Sequence, residues 1–156
     1  MKLSSLILLF FSLSLASLHA QIYVPSFYFT DLEGKGFTNA SLVQDIPTMV
    51  MLFDPYCEHC DQQAEWIAGA AEELKHVQFV FVTIEPEVDP IKAFKERHFS
   101  EVDLPNLHFL QDLNFKFEDY FGYTNDAVNI YLYKPGKKQP KYFGKEQKAE
   151  VLLKYL

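Results

Sequence analysis

Cys57 and Cys60 are the only two cysteines of this 156-residue chain, and they stand at C-x-x-C spacing. A nearly all-apolar run, Thr48 to Phe53, leads to them through the turn residues Asp54-Pro55-Tyr56. A helical pattern begins at the first cysteine. The attacking species in disulfide exchange is a thiolate, and an ordinary thiol is mostly protonated at neutral pH. A helix N-terminus offers unpaired N–H groups and the positive end of the helix dipole, both of which favour the anion. Cys57 falls at that terminus. Cys60, three residues on, lies on the same side of the helix and nearer the interior. This order makes Cys57 the nucleophile that forms a mixed disulfide and Cys60 the group that resolves it, leaving a Cys57–Cys60 disulfide.

The residues around the pair tune it. A protonated His59 stabilises the thiolate, whereas Glu58 places a like charge beside it. Tyr56 offers either an aromatic wall for a docking peptide or a ring that packs on its own loop. As a purely structural staple the pair would close a very small loop, where a disulfide restrains the unfolded chain least.

The elements that must position this dithiol can be read from periodicity. Ile22 to Thr30 reads as a strand, Asp31 to Gly36 as a turn, and Phe37 begins the return. Thr48 to Phe53 has the continuous apolar character of a strand covered on both faces. Cys57 to about His76 is helical, with Cys60, Ala64, Ile67, Ala71 and Leu74 on one side. Gln78 to Ile84 is a β-branched and aromatic strand. Asp89 and Pro90 read as the N-cap and first residue of a helix to about Arg97. Leu107 to Leu110 is a strand, and Asp112 caps a helix that ends at Gly122. Ala127 to Tyr133 and Tyr142-Phe143 are strands flanking the turn Lys134 to Lys137, and Glu146 to Leu156 is a terminal helix. The alternation of strands and helices predicts a mostly parallel central sheet with helices on both faces, finished by a hairpin.

Composition bounds the function. Apolar residues make up 49% of the chain, with 15 Phe and 9 Tyr, enough for a full core in one domain. Residues 1–20 read as a secretory signal peptide: Met1-Lys2, an apolar stretch from Leu3 to Ala16, then Leu18-His19-Ala20 before Gln21. An uncleaved anchor is the alternative. The expected division is therefore a signal peptide over 1–20 and a single domain over 21–156, exported to a periplasmic or extracellular space where disulfides persist. The formal net charge is −7, and loss of Lys2 with the leader makes it more negative still. An acidic chain without a basic stripe is a poor ligand for nucleic acid or anionic lipid. The expected partners are protein thiols or disulfides, with a membrane redox protein upstream as a further candidate. No nucleic acid, no membrane contact beyond the leader, no cofactor and no metal are expected.

Several stretches resemble exported, TlpA-like redoxins of thioredoxin fold. Phe27 to Gly36 is similar to their N-terminal hairpin. Phe53-Asp54-Pro55-Tyr56-Cys57-Glu58-His59-Cys60 is similar to their active-site loop. Phe121-Gly122, Asn129 to Tyr133 and Gly136-Lys137 are similar to their late strand and hairpin. The resemblance implies a thioredoxin-like α/β fold, with a central mixed β-sheet, helices on both faces and an N-terminal β-hairpin extension. It also implies thiol–disulfide oxidoreductase activity. Three departures stand out. The cis-proline that faces the dithiol and shapes the substrate groove in such proteins falls here at Ala127 or Val128, and a trans bond and an altered groove are expected. Gln63 stands where an acid often follows the second cysteine, and Met51 where thioredoxin has a buried acid. Tyr56 replaces the usual Trp. Proton transfer in the resolving step then falls to Glu58, His59 or water.

Three rival readings follow from the same residues. A peroxidase of peroxiredoxin type needs a Thr where this chain has Asp54. A copper or zinc chaperone would draw on Cys57, Cys60 and a histidine, but His59 is too local to close the site and His76, His98 and His108 are isolated. A non-catalytic interaction module carrying a vestigial disulfide is the main alternative.

Overall fold

A computed structural model describes residues 22–122, 124–126 and 128–156. The expected signal peptide, Tyr123 and Ala127 lie outside the described residues. No described helix is long and apolar enough to cross a membrane.

Seven strands form one mixed sheet in the order β2-β1-β5-β4-β3-β6-β7. The N-terminal hairpin consists of β1 (Tyr28–Asp31) and β2 (Gly36–Thr38), and β1 adds antiparallel to β5 (Leu107–Gln111). The centre is β3 (Thr48–Leu52) and β4 (Gln78–Thr83), which run parallel to each other, with β5 parallel to β4. On the other side β6 (Asn129–Tyr133) and β7 (Lys141–Phe143) return antiparallel. The sheet is thus less parallel than the alternation of elements implied. The reason is that both flanks are built from hairpins, which need only short turns, and crossover helices join only the central strands.

The side chains of the central strands alternate strictly between two cores, as the two-residue strand period requires. Met49, Met51, Phe79, Phe81, Ile130 and Leu132 point to one face. Val50, Val80, Val82, Tyr131 and Tyr133 point to the other. The first face is covered by α1 (Glu58–Gly69), α2 (Ala71–Leu74), α3 (Val88–Phe99) and α5 (Ala149–Tyr155). The second is covered by α4 (Phe117–Phe121) and by Ile22, Phe27 and Leu42 of the N-terminal segment.

Several boundaries move for identifiable reasons. The helix expected over Cys57 to His76 breaks after Gly69, where Ala70 leaves the helical region at φ −118° and ψ 28°. Glycine is the weakest non-proline helix former, and its position marks the break. The third helix starts at Val88 with Glu87 at its cap, so Asp89 lies inside the first turn rather than before it. The first strand begins at Tyr28, not Ile22, and the last helix at Ala149, not Glu146. Asp112 does cap its helix, but from five residues upstream: its Oδ2 accepts the Phe117 N–H at 2.7 Å.

Candidate functional site

The apolar strand β3 ends against the sheet, and the chain then turns sharply. Phe53 N–H still donates to Val82 O at 2.8 Å, extending the parallel ladder by one bond. Asp54 Oδ1 accepts the Tyr56 N–H at 2.8 Å, and Asp54 O accepts the Cys57 N–H at 3.1 Å. Pro55 sits in the middle of this turn, where its fixed φ is compatible with the bend. The turn delivers Cys57 as the N-cap of α1, in extended conformation at φ −90° and ψ 121°. The Cys57 carbonyl accepts both the Cys60 and Asp61 N–H groups at 3.0 Å, and its side chain makes no capping bond.

The two thiols are unlike. Cys57 is half-buried, and Cys60 is 2% exposed in the core. Burial pushes the Cys60 thiol far above its ordinary range. A backbone hydrogen bond from Asp54 opposes that rise, while the adjacent Cys57 sulfur and the Asp54 carboxylate add to it. Cys60 is therefore held as a neutral thiol, and Cys57 is the group that solvent and a partner can reach. This asymmetry is what a nucleophile and a resolving thiol require. Asp54 went unnoticed as a chemical group in the sequence, where Asp-Pro reads only as a turn. It is the carboxylate whose field reaches Cys60.

The tuning residues separate. Glu58 is exposed in the first turn of α1. His59 Nδ1 lies 3.4 Å from Glu146 Oε2, so its charge partner comes from the segment before α5. Tyr56 is 71% exposed, which removes the option that its ring packs on the loop. Val128, at the entry to β6, is 1% exposed and belongs to the same core cluster as Cys60. Its side chain is therefore in the core and not on a surface groove.

Gln63 explains one departure noted in the sequence. It is fully buried, donates through Nε2 to Gln147 O at 3.0 Å, and accepts the Gln147 N–H on Oε1 at 2.6 Å. A neutral amide matches both the backbone donor and the backbone acceptor of one residue, which a carboxylate cannot do. His59 and Gln63 are one helical turn apart and both meet residues 146–147. The first turn of α1 is thereby strapped to the C-terminal segment. Gln63→Glu is expected to destabilise the fold by about 2–3 kcal/mol, the cost of an orphaned carbonyl and a buried carboxylate. Urea denaturation at neutral pH measures this, and loss of stability should shrink where the carboxyl is protonated.

His98 is a satisfied histidine and not a free ligand. It and Arg97 both reach Asp61 Oδ1 at 2.6 Å, joining α3 to the residue after Cys60. Burial pulls the Asp61 carboxyl up, but the bonds from Arg97 and His98 outweigh it and hold it below its usual range. A depressed carboxyl stabilises the fold above its unfolded pKa, and that contribution is lost as pH falls through the lower folded value. With Asp61 a third exposed, solvent screening keeps the effect modest. Asp61→Asn should therefore lower stability at pH 7, and the deficit should shrink as the pH is taken below the usual carboxylate range, read from paired denaturation curves.

Among the described residues there is no group of three or more His, Cys, Asp or Glu side chains placed to hold a metal ion. His59 faces Glu146, His98 is held by Asp61, and His108 is half-buried against the Phe37 ring at 4.8 Å. The dithiol has no third ligand within this arrangement.

No family model matches the chain, and neither does any curated protein. Solved structures do match. A secreted disulfide oxidoreductase of Mycobacterium tuberculosis, homologous to E. coli DsbE, aligns with a TM-score of 0.61 at 21% identity, over 81% of this chain and 91% of that one. A thioredoxin-like protein from Aeropyrum pernix gives a TM-score of 0.65 at 13% identity, over 84% and 89%. Copper-bound ScoI of Arabidopsis thaliana gives 0.63 at 18% identity, over 85% and 94%. The chain has a thioredoxin-like fold.

Proposed function

On this thioredoxin-like scaffold, we propose that the chain is an extracytoplasmic thiol–disulfide oxidoreductase acting on protein disulfides or thiols through Cys57 and Cys60. The observation that carries the reading is the asymmetry of the pair. Cys57 caps α1 at the protein surface, and Cys60 lies three residues on in the core as a neutral thiol. In the reducing direction the Cys57 thiolate attacks one sulfur of a substrate disulfide. The substrate S–S bond breaks, a Cys57–substrate disulfide forms, and the second substrate sulfur leaves as a thiolate that takes up a proton. Cys60 then loses its proton and attacks Cys57, releasing the substrate as a dithiol and closing the Cys57–Cys60 disulfide. Two electrons and two protons pass to the substrate, and a second dithiol or disulfide partner resets the pair. The oxidising direction is the same sequence reversed.

Asp54, whose carboxylate field reaches the Cys60 thiol, is the acceptor this reading assigns to the Cys60 proton, directly or through water, in the role that an acid on α1 would otherwise fill. The substrate backbone is assigned to the stretch before β6, at Ala127 and Val128, by the resemblance to TlpA-like redoxins. Export rests on the leader-like residues 1–20. The secreted character of the Mycobacterium tuberculosis oxidoreductase of like fold is consistent with it. A non-catalytic interaction module is the second reading, and Gln63 favours it, since that buried position holds a structural amide and no proton-handling acid.

Insulin reduction with dithiothreitol as the electron source, paired with a glutathione titration of the couple, separates the two readings. Turnover that disappears in Cys57→Ser supports exchange. A very negative potential with no turnover supports the module.

A further inference from the structure

The carboxyl ends of the three parallel strands carry more apolar surface than the dithiol itself needs. Leu52, Ile84, Phe115 and Phe117, with Asp112 and Glu118, line a cavity of about 250 Å³ across the ends of β3, β4 and β5. Ligands of open α/β sheets gather at this end of the strands. The loops that build the cavity are bonded to one another and to the active-site turn. Phe53 N–H donates to Val82 O, Asp112 N–H to Thr83 O at 2.7 Å, and Gln111 Nε2 to the Glu85 and Pro86 carbonyls at 2.9 Å. The cavity is thus rigidly placed relative to the turn that delivers Cys57.

Its rim is unusual in two respects. Phe115 is held at φ +54°, a left-handed conformation that disfavours a bulky side chain, with 71% of its surface in water. A strained backbone and an exposed aromatic each cost stability, and here neither contributes to the core. Ile84 and Leu113 beside it are 50% and 48% exposed, and Tyr56 next to the nucleophile is 71% exposed. The second respect is charge. The loops of this end bear Asp54, Glu85 and Glu87, α1 begins with Glu58, and Glu118 is exposed at the cavity, whereas Asp112 is buried and bonded to the Phe117 N–H. Their one basic residue, Lys116, is already bonded to Asp119 at 2.7 Å.

From these observations we infer that this surface docks a basic polypeptide segment of the substrate, one that seats an apolar side chain in the cavity between Phe115 and Ile84 while its Lys or Arg residues face the acidic rim. The inference rests on the exchange reading for its reaction and adds the class of substrate. An apolar anchor supplies affinity, and complementary charge supplies selection and a faster encounter.

The test uses two peptides that differ only in charge, each with one Leu and a cysteine carrying a thionitrobenzoate disulfide. One has three Lys and the other three Glu. Reaction with the reduced full-length protein releases the yellow thiolate. The lysine peptide should react about tenfold faster at low salt, and the gap should close in 0.5 M salt. It should also close in Glu85→Gln/Glu118→Gln. Phe115→Ala should slow the lysine peptide several-fold and leave hydroxyethyl disulfide, too small to reach the cavity, unaffected. Phe115→Gly, which relaxes the backbone, should behave the same way while folding at least as stably. Binding of the same peptides to Cys57→Ser/Cys60→Ser, read by fluorescence anisotropy, gives the docking without the chemistry. Equal rates and equal binding of the two peptides, or no effect at Phe115, would overturn the inference even if hydroxyethyl disulfide is turned over. Selective binding with no turnover of any disulfide would sustain the docking surface and remove the exchange reading.

Discussion

Cys57→Ser is expected to abolish disulfide exchange, and Cys60→Ser to stop it one step later, as an accumulated mixed disulfide. Both variants should lose steady-state turnover on the order of a thousandfold or more, the scale on which removing a member of a reacting pair acts. What distinguishes them is the trapped species. Cys60→Ser retains the accessible sulfur at the cap of α1 and lacks the buried one that releases the substrate. Incubation with a disulfide-bonded protein followed by non-reducing electrophoresis should show a covalent adduct in Cys60→Ser and none in Cys57→Ser. Iodoacetamide treatment of the folded, reduced chain at pH 8 should add a single group, on Cys57, because burial keeps Cys60 protonated and covered. Alkylation of both cysteines at equal rates would remove the asymmetry on which the reading stands.

The second large effect is on the support beneath the turn. Phe53 is the last residue of the strand ladder before Asp54, and it is 3% exposed. Its ring lies 4.9 Å from Phe94, 5.6 Å from Phe81 and 5.7 Å from Phe109. These rings belong to α3, β4 and β5, so one side chain ties the active-site turn to three elements. Phe53→Ala should cost about 3–5 kcal/mol, combining lost burial with the cavity left among rings that cannot all collapse inward. Against a typical total of about 5–15 kcal/mol this approaches the limit of folding. Phe53→Leu fills most of the space and should cost markedly less. Urea midpoints of the two variants measure the difference. A similar loss in both would show that the aromatic cluster, not volume, holds the turn.

Much of this architecture was legible in the chain. The run Thr48 to Phe53 read as a strand covered on both faces because it is nearly all apolar, and Gln78 to Ile84 as a strand because it is β-branched and aromatic; both lie in the sheet with every position from 48 to 51 and from 78 to 83 buried. The helix after Cys57 was legible from the spacing of Cys60, Ala64 and Ile67, and the order of strands and helices led to the thioredoxin-like fold. Helix boundaries were less so. Asp89-Pro90 is a good local start signal, yet α3 begins two residues before Pro90, at Val88, with Pro90 still in the first turn, where its missing N–H is tolerated.

The placement of the two sulfurs was already set by the chain's own spacing, because position along a helix decides which cysteine lies at the cap and which lies inside. Their surroundings were decided only by tertiary structure. Gln147 lies 84 residues from Gln63, yet it meets both ends of that amide. His59 Nδ1 lies 3.4 Å from Glu146 Oε2, a residue 87 positions further along the chain. Phe115, Ile84 and Leu52 line one cavity only because parallel strands bring their carboxyl ends together. A hydrogen bond or a cavity depends on positions to within an ångström, and residues far apart in a chain acquire such positions only when the sheet sets its register.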